Sequence, residues 1–98
     1  MSTTIRINTL KAGDKLTIRA EFNQLVTANQ SDILILAISG LGRLYRRLIA
    51  GNTITFSLVR PAPFQADDWK ACVALIKEYF GEKCRIIDEG AADQALAM

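Results

Sequence analysis

Period-two alternation near the N-terminus is the feature that most constrains this chain. Thr4 to Leu10 sets Ile5 and Ile7 on one face, and Lys15 to Phe22 sets Leu16, Ile18, Ala20 and Phe22 on one face. Between them lies Lys11-Ala12-Gly13-Asp14. Alternation suits strands with one buried face, and a short loop holding glycine suits a hairpin. A helical parse competes, because Ile18, Phe22, Leu25 and Val26 also form a helical stripe with Asp14 as N-cap. The hairpin is preferred because the alternation runs through both arms.

Farther on, Ser31-Asp32 introduces the densest apolar stretch, Ile33-Leu34-Ile35-Leu36-Ala37-Ile38. One parse makes it the start of a helix to Ala50, and another makes it a buried strand ended by Ser39-Gly40. Gly40 and Gly42 would each cost a helix about 1 kcal/mol relative to alanine, so a break near Ser39 to Gly42 is expected in both. Leu41 to Ala50 is expected to be helical in both, with Gly51-Asn52 ending it. Thr53 to Val59 alternates as a strand, and Arg60-Pro61-Ala62-Pro63 stops it. Ala66 to Phe80 predicts an amphipathic helix with Trp69, Cys72, Val73, Ile76 and Phe80 on its apolar face and two acids in its first turn. Gly81 closes that helix. Cys84 to Asp88 predicts a final strand, and residues 89–98 a disordered tail.

The expected fold is therefore α+β. It is one small domain over residues 1–88, an N-terminal β-hairpin then helix-strand-helix-strand, with helices packed on one sheet. The alternative is α/β in strict β-α-β-α-β-α-β order, and the state of residues 15–22 and 32–38 decides between them. A length of 98 residues leaves no room for a second domain. Half of these residues are hydrophobic, which excludes whole-chain disorder. Uninterrupted apolar runs fall far short of the roughly 20 residues that span a bilayer, so no membrane association is expected.

Histidine is absent, which removes the commonest general base and the commonest metal ligand. Cys72 and Cys84 alone cannot complete a four-ligand zinc site or a disulfide scaffold, and both read as structural thiols. No metal, no cofactor and no catalysis are expected. With no signal-peptide pattern at the N-terminus, the expected location is a reducing cytoplasm.

Charge is uneven. Residues 1–60 hold eight Lys or Arg against three acids, whereas residues 61–98 hold four against seven. A basic end suggests an anionic partner. On a helix from Leu41 to Ala50, Arg43, Arg46 and Arg47 share one arc opposite Leu41, Leu44, Tyr45, Leu48 and Ile49. Three guanidiniums suit bidentate recognition of carboxylate or phosphate. The hairpin's polar face carries Arg6 and Arg19, which extend the patch if both lie on one side of the fold. The leading expectation is a small binding or regulatory protein, such as a bacterial or phage inhibitor or adaptor, that docks a protein partner through this surface. Nucleic acid is the alternative partner, and a homo-oligomer is compatible with either.

Ser39-Gly40-Leu41-Gly42-Arg43 is a second candidate, a weak anion-binding turn in which Ser39, Gly40, Gly42 and Arg43 open a helix. It lacks the third glycine of the dinucleotide fingerprint and the Lys-Ser/Thr ending of a P-loop. Asp67-Asp68 is explained by the helix dipole and Pro61-Ala62-Pro63-Phe64 by a rigid connector, with Phe64 an interaction anchor if exposed. Ala91 to Met98 is similar in composition to C-terminal tags read by bacterial proteolytic machines.

Ser39-Gly40-Leu41-Gly42, the segment Leu44-Tyr45-Arg46-Arg47-Leu48, Gly51 and the strand Thr53 to Val59 resemble the central part of STAS domains, as does the opening hairpin in kind. That family places a helix and a strand between hairpin and serine turn. The interval from Phe22 to Ser39 is too short for both, so no residue is carried over.

Overall fold

The computed structural model describes residues 3–60 and 62–93, the last three of them by backbone alone. The N-terminal hairpin forms as expected, from β1 (Thr3–Ala12) and β2 (Lys15–Phe22). Ala12 pairs with Lys15, so the loop is only Gly13-Asp14, and Gly13 adopts φ 64°. Glycine first in a two-residue loop is the II′ arrangement, whose twist matches that of the strands. Residues 15–22 are thus strand and 33–38 helix, which settles the fold as α+β and excludes the strict alternating order.

Helix α1 (Ala28–Ile38) starts earlier than Ser31-Asp32 suggests. Thr27 caps it: the Thr27 hydroxyl accepts from the Gln30 N–H at 3.1 Å, and the Gln30 side chain accepts from the Thr27 N–H at 2.9 Å. This reciprocal box satisfies two helix-end donors at once. The helix stops at Ser39, where the glycines make continuation costly.

Arg43 to Ala50 is not a helix. It is strand β3 (Arg43–Ala50), joined to β4 (Thr53–Val59) by a second two-residue loop in which Gly51 has φ 63°. The helical spacing of its leucines arises from a bulge between Leu44 and Arg46. The extra residue, Tyr45, breaks the period of two, so Leu44 and Ile49 fall on one sheet face while five apart in sequence. Gly51-Asn52 is a hairpin turn rather than a helix end. With the helix gone, the STAS-like segment does not extend to the fold.

Helix α2 (Ala66–Phe80) forms as expected and buries Trp69, Cys72, Val73 and Ile76. Strand β5 (Cys84–Asp93) runs five residues past Asp88, and the remainder of the expected tail lies outside the described residues. The sheet order is β3-β4-β2-β1-β5, antiparallel except for the β1–β5 pair. Without β1, the order is that of a split β-α-β arrangement, and β1 slots between its first and last strands. Both helices cover one face. There Ile5 and Ile7 of β1, Leu16, Ile18 and Phe22 of β2, and Ile54, Phe56 and Leu58 of β4 meet Leu34, Ile38, Trp69 and Ile76, all essentially inaccessible. No helix is long and apolar enough to cross a membrane among the described residues.

Candidate functional site

Because both helices lie on one side, no described element covers the other face of the sheet. Strand register assigns its residues. Side chains alternate along each strand, and those opposite one another across the ladder share a face. Starting from the buried Ile54, Phe56 and Leu58, the opposite face carries Thr53, Thr55, Ser57 and Val59 of β4. Their partners continue it: Lys15, Thr17, Arg19 and Glu21 of β2, and Arg43, Arg46, Leu48 and Ala50 of β3. Beyond β2 come Thr4, Arg6, Asn8 and Leu10 of β1, then Arg85 and Ile87 of β5. Glu89, the extra residue at the β5 irregularity, pairs with Arg6 across 3.8 Å.

Six cations occupy this face, Arg6, Lys15, Arg19, Arg43, Arg46 and Arg85, against Glu21 and Glu89. They come from four of the five strands and form a band across the sheet. The interior strand β4 supplies only small hydroxyls and Val59. These are half-buried although no described helix covers them. Glu21 partly neutralises Arg19 at 3.6 Å, whereas no acid lies within ion-pair distance of Arg43, Arg46, Lys15 or Arg85 among the described residues.

The arginine cluster expected from a helix is therefore rearranged. Arg43 and Arg46 do lie on one face, joined by Arg6 and Arg19 as the hairpin's polarity suggested. Arg47 does not: it sits opposite Phe56, on the helix side. Its guanidinium donates to the buried Ser31 hydroxyl at 3.0 Å and lies 3.6 Å from the Asp32 carboxylate. Arg47 is thus a tie between β3 and α1.

The Ser39 to Arg43 turn closes α1 and leads into a strand, so the helix N-terminus on which an anion site was premised does not exist. Three of its donors are also engaged. Ser39 N–H bonds to the Ile35 carbonyl, Ser39 Oγ to the Leu36 carbonyl at 2.9 Å, and Leu41 N–H to the Ile38 carbonyl. Gly42 serves packing, since a Cβ there would stand 2.8 Å from the Val59 carbonyl oxygen. Gly40 faces open space.

Sequence inspection gave no hint of the Arg60 hub. Its guanidinium donates to the Leu41, Ala62 and Pro63 carbonyls and to Asp68, while Phe64 lies 5.7 Å from it, half-buried against the core. Phe64 is therefore a packing residue rather than an exposed anchor. Asp68 also accepts from Gln65 N–H, so it caps α2 as well as meeting its dipole. Pro61 lies outside the described residues.

Cys72 is buried and donates to the Ala37 carbonyl at 3.7 Å. Burial pushes its thiol up to about 12, and pushes the half-buried Cys84 up as well. Neither is an activated nucleophile. No group of three or more Cys, Asp or Glu suited to a metal occurs among the described residues. No family model matches the chain, and no curated protein or solved structure is significantly similar to it. Fold and face together define a small α+β domain with one sheet face open and basic.

Proposed function

We propose that this protein is a non-enzymatic adaptor or inhibitor that docks the open face of its sheet onto an acidic protein surface. What supports the reading is one observation: a sheet face that no described element covers bears six cations and two acids. Electrostatic complementarity on that scale steers association and selects partners by charge. A protein partner is favoured over nucleic acid by the aromatic inventory. Of the strand aromatics Phe22 and Phe56 are buried beneath the helices, which leaves Tyr45, 51% exposed at the β3 bulge, as a single ring where single-strand binders stack successive bases on several. A reducing bacterial or phage-infected cytoplasm fits two cysteines whose burial holds them as thiols.

The test is capture from untreated and from nuclease-treated lysate by wild-type protein and by the folded Arg6→Glu/Arg19→Glu/Arg43→Glu/Arg46→Glu variant. The expected outcome is an acidic protein bound by the first, lost from the second and released by salt. Identical profiles would make the face a solvated surface. Capture of nucleic acid alone, before nuclease treatment, would favour the rival.

A further inference from the structure

The terminal strand β3 has one uncovered edge: among the described residues, none of its backbone groups bonds to any element besides β4. Such an edge is a template for another strand, and proteins usually blunt it with charge, proline or a bulge. Here the devices are a bulge at Tyr45 and three arginines, with no acid on the strand. Those arginines repel a second copy, since two-fold pairing of β3 with itself would set three guanidiniums against three. They attract a chain of opposite charge.

The two sides of the edge differ. On the open face Arg43 and Arg46 stand without carboxylate partners. On the helix side Arg47 is already engaged by Ser31 and Asp32, and next to it lie Leu44, half-buried, and Ile49, 44% exposed. Ile49 sits where the core runs out of strands, so one more strand would cover it. Side chains of an added strand alternate between the faces. We infer that β3 receives an extended segment of the partner as a sixth strand, in which carboxylates alternate with aliphatic residues. The acids would then fall beside Arg43 and Arg46, and the aliphatic side chains beside Leu44 and Ile49. Main-chain bonds would supply attachment and the alternation would supply selectivity, as in β-strand addition generally. The choice of an acidic strand rests on the docking reading above; the edge does not.

The probe is a blocked peptide alternating valine and glutamate, as long as β3, titrated against the intact protein while amide hydrogen exchange is followed. The expected result is saturable binding with new protection in residues 43–50 and none in β5. N-methylation of alternate peptide residues should abolish binding in one of its two phases and spare it in the other. Arg43→Glu/Arg46→Glu, shown to be folded by its amide spectrum, should bind about tenfold more weakly. Binding indifferent to N-methylation in both phases overturns the added strand while leaving the open-face docking intact. Absence of peptide binding, where the captured acidic protein still distinguishes wild type from the charge-reversed variant, overturns this inference alone. Tighter binding of oligothymidylate than of the peptide overturns both.

Discussion

Arg60 at the end of β4 holds Asp68 in the first turn of α2 at 2.8 Å, with only 16% of the arginine side chain exposed. The contact fixes where α2 begins relative to the sheet, because the same guanidinium also binds the Leu41, Ala62 and Pro63 carbonyls. Arg60→Ala should destabilise the protein by about 2 kcal/mol in urea unfolding, since several carbonyls and a carboxylate lose their donor together. Arg60→Lys should recover less than half of this, because an ammonium cannot reach acceptors spread around a planar fork. Equal stability of Arg60→Lys and wild type would show that charge alone matters there.

The two glycines of the α1–β3 turn should respond oppositely. Gly42→Ala brings a Cβ to 2.8 Å from the Val59 carbonyl oxygen, which is backbone and cannot swing away. A loss of at least about 1 kcal/mol is expected. Gly40→Ala meets nothing within 4 Å and needs no left-handed backbone, so it should stay within about 0.5 kcal/mol of wild type or gain slightly. Thermal unfolding of the two variants checks the pair.

The arginines of β3 should separate into two kinds. Arg47→Ala strands the buried Ser31 hydroxyl and should destabilise by about 1 kcal/mol. Arg43→Ala and Arg46→Ala should leave stability within about 0.5 kcal/mol, because both side chains are exposed and free of ion pairs among the described residues. Similar losses for all three would contradict the strand register.

Cys72 makes stability depend on alkaline pH. Its thiol is raised from 9.0 to about 12 in the folded protein, so above pH 9.0 the unfolded chain releases the proton first. The unfolded state then binds fewer protons, and stability falls as pH rises from 9.0 toward 12. Below that window this contribution is fully present. Cys72→Ala should flatten that part of the pH profile. In the native protein iodoacetamide should alkylate the half-buried Cys84 well before Cys72, as peptide mapping would reveal.

Much of the fold was legible locally. Both arms of the hairpin, β4 and α2 announce themselves by clean periods of two or 3.6, and the apolar faces read from the sequence are the ones buried. The capping box of Thr27 and Gln30 was equally available in the sequence, masked by the stronger apolar run that follows. β3 was not legible. An edge strand with one open face, bulged at Tyr45, loses its alternation, and its leucines then fall on a helical arc by coincidence.

Composition and spacing by themselves determined a chain without histidine, basic in its first part, and favoured an α+β domain over the strictly alternating order, with a hairpin whose polar face carries Arg6 and Arg19. Only the tertiary structure decided which arginines share a face. Ladder register with β4 turns Arg43 and Arg46 toward the open face beside the hairpin's cations, and turns Arg47 inward to Ser31. Side-chain direction in a strand is set by pairing with a partner distant in sequence, and a single bulge inverts it for every residue beyond.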